Sequence, residues 1–286
     1  AFAASTVDGT LSATATTGDI SDSGAQTILG AATYITSADG SNIILDHASN
    51  TYAAGVTFKA ETDGSEAFGN LTFVDTGGIK LDSDKDSAGD FWIQAAGGSG
   101  TVGGILTLTS VTGNVTQGTA LSVGGTTSVT TSANDATIAL DTTTNAFTGA
   151  LTLTTNDDDG TDANVTIDGG TTALVIAAST VDGNLTLTSG GAITDGGTLT
   201  IGGNLSATTD VDDITINLGT LAVDGTVALT TNGTNGNVTL VNDAGLAFAA
   251  STVDGTLSAT ATTGNMTDSG ALTISGTSAF ITSAND

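Results

Sequence analysis

The sequence lacks several residue types that would direct it towards other folds: it contains no cysteine, no proline and no arginine. Without cysteine, disulfide frameworks and thiolate metal sites are excluded. Without proline, every residue keeps a backbone N–H donor, as a structure of stacked hydrogen-bonded strands requires. No apolar run approaches the roughly 20 residues of a membrane-spanning helix, so we expect no membrane span in this segment.

Positive charge is also scarce, because only three lysines oppose 30 acidic residues and the net charge is −27. We therefore expect no nucleic-acid partner, since little in the chain would neutralise phosphates. Almost all of the acids are aspartates, and many lie beside glycine or asparagine, where turns place them. The 40 glycines and the abundance of threonine, valine, leucine and isoleucine predict many short strands with tight corners.

The sequence repeats itself at several lengths. Residues 1–18 recur without change at 247–264, an offset of 246 residues. Looser matches at offsets of 72, 79 and 95 residues divide this long period into three unequal superunits. We predict one continuous domain over residues 1–286, with a long repeat at 1–246 and the next copy beginning at residue 247.

Shorter units lie inside the superunits. The units 198–219, 220–245 and 246–270 each hold three stretches of alternating apolar and polar residues, separated by glycine-containing corners. Such alternation indicates half-buried strands, and one unit cannot bury its apolar face alone. The sequence therefore predicts an all-β parallel β-solenoid (β-helix) with about three short strands per rung and rungs of about 22–26 residues. About ten rungs per long period, ~4.8 Å apart, make a rod of about 50 Å.

The repeat style carries a resemblance. Segments such as GNLTLTSGGAITDGG (183–197) and GTLTIGGNLSAT (197–208) resemble the filamentous haemagglutinin-like exoproteins, which are bacterial surface and secreted proteins with long β-helical shafts. The resemblance implies an extracellular or cell-surface location and a role in adhesion or in building a fibre. We expect a structural component of a filament whose partner is a further copy of the same repeat. The alternative is the shaft of a large adhesin, whose binding tip lies outside this segment and contacts a host or neighbouring-cell surface.

A polysaccharide-acting enzyme is the third hypothesis, and the sequence argues against it. His47 is the only histidine, and its place beside Asp46 at the end of an apolar strand indicates a turn residue. Paired carboxylates would serve glycoside hydrolysis, but near-copies of each rung leave no singular cleft for them. We expect no catalytic residue and no required cofactor.

Calcium is the one ion that the sequence suggests, because aspartates two residues apart in a loop can converge on a hard cation. The EF-hand pattern is incomplete, since Ser87 stands where glycine is needed and Ile93 where the bidentate glutamate belongs. The alternative interpretation is a pair of solvated acidic turns. The candidate ligands are Asp82, Asp84, Asp86, Asp90, Asp157, Asp159 and Asp162.

Two further features allow both a structural and a functional interpretation. Eight asparagines begin N-x-Ser/Thr sequons, which are either glycosylation acceptors or asparagines stacked at a corner of successive rungs. Residues 78–100 break the pattern with two of the three lysines and the only tryptophan, which predicts an extended corner loop and a core position for Trp92. The sequon asparagines are Asn70, Asn114, Asn164, Asn184, Asn204, Asn232, Asn237 and Asn265.

Overall fold

The computed structural model describes residues 1–38, 40–60, 69–82, 90–95, 98–156, 158 and 162–283. This part of the chain consists of short strands and turns, so it supplies no apolar helix long enough to cross a membrane. The first strands are β1 (Ser5–Val7), β2 (Leu11–Ala15), β3 (Ile20–Ser21), β4 (Gln26–Ile28), β5 (Ala32–Thr36), β6 (Ile43–Leu45), β7 (Thr51–Tyr52), β8 (Val56–Ala60), β9 (Leu71–Asp75) and β10 (Ile79–Leu81).

The later strands follow the same outline of short extended segments between corners. The middle of the chain forms β11 (Asp90–Ala95), β12 (Gly98–Ser99), β13 (Thr101–Val102), β14 (Leu106–Ser110), β15 (Val115–Gln117), β16 (Ser122–Val123), β17 (Thr127–Asn134), β18 (Ile138–Leu140), β19 (Ala146–Phe147), β20 (Leu151–Asn156), β21 (Val165–Asp168), β22 (Leu174–Ile176) and β23 (Ser179–Val181). The last third forms β24 (Leu185–Ser189), β25 (Ile193–Asp195), β26 (Leu199–Ile201), β27 (Leu205–Asp212), β28 (Ile216–Val223), β29 (Thr226–Asn232), β30 (Val238–Asn242), β31 (Leu246–Phe248), β32 (Ser251–Val253), β33 (Leu257–Ala261), β34 (Met266–Asp268), β35 (Leu272–Ile274) and β36 (Ser278–Thr282).

Strands of successive turns pair in parallel and build a β-solenoid. The longest path in the fourteen-stranded sheet runs from β3 to β36 with one strand per turn, and the described chain makes about twelve turns. The turns differ in length: a short one runs from Val238 to its partner Leu257, and a longer one runs from Ile43 to Leu71. The predicted parallel β-solenoid is confirmed, with a wider spread of turn lengths than the repeats indicated.

One turn is much longer than the others, since it runs from Leu71 to its partner Leu106. The additional residues include β11, which lies between β8 and β10 in the sixteen-stranded sheet and pairs in antiparallel orientation with β12. The three-stranded sheet β1-β4-β7 ends at this level, and the sheet β13-β16-β19 follows on later turns. An extended corner loop is predicted over residues 78–100, but their described part includes the inserted strand β11 instead, and residues 83–89 and 96–97 lie outside the described residues.

The corners of the solenoid shift along its length. β20 pairs with β22 at its beginning and with β23 further on, so that one strand faces two strands separated by a corner. β29 pairs in the same way with β31 and β32. Identical sequences consequently occupy different sheets: β2 lies in the sixteen-stranded sheet, and its copy β33 lies in the fourteen-stranded sheet.

Alternate side chains point inward and fill one continuous hydrophobic core. In β14, Leu106 and Leu108 have no exposed surface, while the threonines between and after them are partly exposed. Burying one such leucine contributes roughly 1.5–3 kcal/mol. The first turns add an aromatic cluster, in which the rings of Tyr34 and Phe58 stack with their centroids 5.7 Å apart.

Glycine occupies a corner where successive turns approach closely. Gly183, Gly203 and Gly225 follow one another on adjacent turns, and each later N–H donates to the preceding carbonyl at 3.0 Å. A Cβ atom added to Gly203 would lie 2.8 Å from the carbonyl oxygen of Gly183, which is closer than real Cβ atoms approach. A side chain at this corner would therefore force the two turns apart.

Candidate functional site

Asparagine side chains link successive turns beside the glycine corner. The asparagine ladder consists of Asn164, Asn184 and Asn204, which lie on adjacent turns. The N–H of Asn184 donates to Asn164 Oδ1 at 2.7 Å, and the N–H of Asn204 donates to Asn184 Oδ1 at 2.8 Å. Thr226 ends the series, because its N–H and its Oγ1 both donate to Asn204 Oδ1 at 2.8 Å. The side-chain amide thus supplies an acceptor to the next turn at a corner between strands.

The same contact recurs along the solenoid at most of the sequon asparagines. Six of the eight sequon asparagines accept, through Oδ1, a backbone N–H from the following turn, at distances of 2.7–2.9 Å. The predicted stacking of asparagine at corners is therefore confirmed for these six, which are Asn70, Asn114, Asn164, Asn184, Asn204 and Asn237. The sequence signal is a glycine or small residue followed by asparagine immediately before a strand.

Aspartates link turns at other corners. Asp22 accepts the N–H of Asp46 at 3.1 Å and the side-chain amide of Asn50 at 2.6 Å. Asp195 accepts the N–H of Thr220 at 2.6 Å and its hydroxyl at 2.8 Å. These carboxylates are therefore more than the solvated corner groups that the composition indicated, because they hold polar groups of the next turn.

Asp19 shows the electrostatic effect of such a contact. The backbone N–H of Asn42 donates to its carboxylate at 2.8 Å, and the side-chain amide of Asn42 donates at 3.2 Å. These hydrogen bonds lower the pKa of Asp19, since they favour the charged form. Asp19 is exposed to solvent, and its lowered pKa favours a charged link between these two turns at neutral pH.

The structure places the predicted calcium ligands as follows. Asp82 forms an ion pair with Lys80 at 2.7 Å, Asp162 is exposed, and Asp90 begins β11. The residues outside the described ranges are Asp84, Asp86, Asp157 and Asp159. Among the described residues, no three His, Cys, Asp or Glu side chains are grouped so that they could hold a metal ion. Calcium binding therefore stays a prediction.

A groove of about 290 Å³ lies where the sheet β1-β4-β7 ends. Tyr52, Asp75, Lys80, Asn114 and Thr116 line it together with the intervening glycine backbone. Asp75 is only 2% exposed and accepts the N–H of Tyr52 at 3.3 Å. Burial raises the pKa of Asp75 although backbone N–H groups donate to it. Corner grooves of about 270 and 250 Å³ occur further along the solenoid, so the volume of this groove is not special.

Two buried tyrosines lie next to this groove. The hydroxyl groups of Tyr34 and Tyr52 are hydrogen-bonded at 3.2 Å. Burial raises the pKa of Tyr52 and raises the pKa of Tyr34 to about 12, so both phenols are neutral donors and acceptors within the core. The sequence did not single out Asp75 or the tyrosine pair, because their burial depends on which side of each strand faces the core.

The remaining singled-out residues lie at ordinary structural positions. His47 follows β6, and its Nδ1 accepts the N–H of Ser49 at 3.2 Å, which confirms the predicted turn. Trp92 is partly buried on β11 and pairs with Thr57 of β8. The predicted core position of Trp92 is thus met in part.

Comparison with known protein families identifies the family of these repeats. The chain matches the family model described as Repeats of unknown function (DUF5649) over residues 1–59, 68–154, 162–217 and 235–286. The chain belongs to this repeat family. No curated protein and no solved structure matches it. Family membership and the fold establish a repetitive β-solenoid protein, whereas the haemagglutinin-like identity stays a prediction.

In the described part of the DUF5649 chain, polar side chains repeatedly bridge successive turns. Hydrogen bonds of Asn164, Asn184, Asp22 and Asp195 each join a side chain to the following turn. Such contacts favour one alignment of the turns, because a displaced turn would leave donors and acceptors without partners. What the arrangement supports chemically is the stacking of turns.

Proposed function

We propose that this chain is a length of rigid shaft in an extracellular or cell-surface filament. The observation that carries the proposal is the ladder of about twelve parallel turns, within which residues 1–18 and 247–264 repeat one sequence. A solenoid built from copied turns lengthens without any new kind of contact, because each turn contacts mainly its neighbours. Mechanical continuity is then the function, and the partner is a further copy of the repeat.

Charge and composition support the same role. The net charge of −27 makes separate shafts repel one another and keeps them soluble. The absence of cysteine means that the shaft depends on hydrogen bonds and apolar stacking, both of which the turns supply. The proposal gives the shaft no catalytic role and no required cofactor.

Electron microscopy of chains with one, two and four copies of the long repeat tests this function. We expect straight rods whose length grows by about 50 Å per added period, since about ten turns are each ~4.8 Å thick. Compact particles, or flexible strings whose length does not grow with copy number, would contradict the proposal. A version with the residues in scrambled order within each strand serves as the control for chain length alone.

The shaft of a large adhesin is the second candidate. The observation that favours it is the inserted strand β11, because solenoids often carry binding elements on insertions in one turn. Imaging of the intact gene product separates the two functions. A globular tip at one end supports the adhesin, and uniform filaments without a tip support the structural role.

A further inference from the structure

The last described turn of the solenoid presents a bare apolar surface. All five residues of β36 are exposed, and Phe280 and Ile281 keep 49% and 48% of their surface accessible. One side of β36 pairs with β33, in which Leu257, Ala259 and Ala261 are buried. The other side carries backbone that no strand of the described chain pairs with, beside the two large apolar side chains.

The same turn occurs a second time in the chain, in a covered state. β5 has the sequence ATYIT and β36 has SAFIT at the same position of the long repeat, which makes Tyr34 the counterpart of Phe280. Their contacts with the preceding turn agree closely. Phe2 meets Tyr34 with ring centroids 6.1 Å apart at 80°, and Phe248 meets Phe280 with centroids 6.1 Å apart at 83°.

The two copies differ on their other side. β8 pairs with β5 along its whole length, with Ala32 opposite Val56 and Tyr34 opposite Phe58. Tyr34 has no exposed surface there, because Phe58 stacks on it at 5.7 Å in a nearly parallel orientation. The structure itself therefore contains the cover that suits the surface of β36.

We infer that the β36 surface is the docking site of one particular rung, which has the sequence of residues 41–60 and belongs to the next copy of the long repeat. This inference rests on the proposed structural role, in that it takes the repeat to continue. The copied Phe58 stacks on Phe280, and the copied Val56 lies opposite Ser278. The match in phase favours this occupant over the first turn of a second chain, because residues 1–18 are the counterpart of the turn beneath β36, not of the turn above it.

The two copies differ by one hydroxyl group, which the first copy has at Tyr34 and the second copy lacks at Phe280. The hydroxyl of Tyr34 is hydrogen-bonded to that of Tyr52 at 3.2 Å, and Phe280 has no hydroxyl. A docked tyrosine at the position of Tyr52 therefore lacks its partner in the core. Phe280→Tyr restores that partner when the rung is docked and leaves the bare turn little changed.

An in-phase extension tests the docking. A second copy of residues 41–60 is appended after Asp286, whose counterpart in the first copy is Gly40, and hydrogen exchange is measured by mass spectrometry. Amide exchange of residues 278–282 is expected to slow by about tenfold or more. A factor of this size corresponds to the stabilisation that about one hydrogen bond contributes. Phe280→Tyr should slow it further in the extended chain and hardly at all in the chain without extension.

The matched control appends the same residues with the copied Val56 and Phe58 both replaced by serine. This control should leave residues 278–282 as exposed as in the unextended chain, while exchange of residues 205–240 stays unchanged and reports that the rest is folded. Equal protection by both extensions, or none by either, would overturn the inference. Protection of the unextended chain that rises with protein concentration would also overturn it, because a second chain would then be the occupant. Failure of the filament proposal looks different: rods would not lengthen although residues 278–282 became protected.

Discussion

Residues 1–18 and 247–264 have one sequence and two environments. In β33, Leu257, Ala259 and Ala261 are at most 1% exposed, since β30 and β36 pair with it on both sides. In β2, Leu11 and its alternate neighbours are only partly buried, because β5 is the only strand among the described residues that pairs with β2. The comparison shows that burial in this fold is conferred by the adjacent turns and not by the strand itself, as expected of a quasi-one-dimensional architecture.

Truncation of the shared leucine gives the largest expected difference between the two copies. Leu257→Ala should lower the free energy of unfolding by about 3 kcal/mol, because it leaves a cavity in a packed core. Leu11→Ala should cost about 1 kcal/mol, because solvent and side-chain movement relieve the loss at a partly buried site. Urea denaturation of both variants measures the difference. An equal loss of unfolding free energy in the two variants would contradict this comparison, since the contribution of each leucine would then depend on its local sequence and not on its neighbouring turns.

The shared glycine gives the next largest effect. A Cβ atom on Gly255 would lie 2.6 Å from the Oδ1 atom of Asn237, whereas a Cβ atom on Gly9 would have no neighbour within 4 Å. Gly255→Ala should therefore destabilise the protein by about 2 kcal/mol. Gly9→Ala should change the free energy of unfolding by about 0.5 kcal/mol or less. Any such change should be stabilising, because alanine lowers the conformational entropy of the unfolded chain. Thermal unfolding of the two single variants provides the check, and a loss at Gly9 as large as at Gly255 would be inconsistent with close stacking.

A smaller effect comes from the side chain of Asn237, which is hydrogen-bonded to the repeated segment 247–264. Its Oδ1 accepts the N–H and the hydroxyl of Thr256 at 2.8 and 2.9 Å. Asn237→Ala should cost about 1 kcal/mol, the usual value of a hydrogen bond whose donor then has to find water. The matched control is Ser12→Ala on the exposed side of β2, which should be neutral. Unchanged hydrogen exchange at Thr256 in the Asn237 variant would show that the amide does not hold the turns.

The smallest expected effect is the pH dependence of folding stability that Asp75 causes. Burial raises the pKa of Asp75 in the folded state, so folding favours the protonated carboxyl. The stability that this provides is complete below the ordinary aspartate pKa of 3.8 and is lost as pH rises through the raised value. Asp75→Asn should therefore gain stability relative to the parent chain as pH rises from acid to neutral. The exposed Asp8→Asn, which changes the net charge equally, is the control, and a parallel gain in both variants would assign the effect to overall charge.

Much of the fold follows from the sequence because its signals are local. The alternation of apolar and polar residues predicted half-buried strands, and the two LTLTS segments at 106–110 and 185–189 show the same alternating burial. The long repeat at 1–246 predicted about ten turns, and ten turns separate β3 from β33. The stacking of asparagine at a corner before a strand was also predictable, and the hydrogen bonds of Asn184 to the adjacent turns confirm it.

Other features depend on how turns align and could not be predicted. Alternation does not say which of the faces a strand joins, so the placement of β2 and β33 in different sheets had no sequence signal. Asp75 resembles the corner aspartates in sequence, and only the stacking of β9 against neighbouring turns shows that it is buried. The acidic segments suggested calcium, but spacing along a chain does not fix the convergence of oxygens in space.

Hydrogen exchange of the two identical segments tests most directly whether stacking, and not sequence, determines stability. Peptides covering 11–15 and 257–261 have equal intrinsic exchange rates, and fragments that extend to Ile20 or to Met266 differ in mass and can be told apart. We expect the amides of β33 to exchange on average at least about 100-fold more slowly than those of β2, because β33 is paired on both sides. Equal rates in the two segments would contradict a solenoid in which each turn is stabilised by its neighbours.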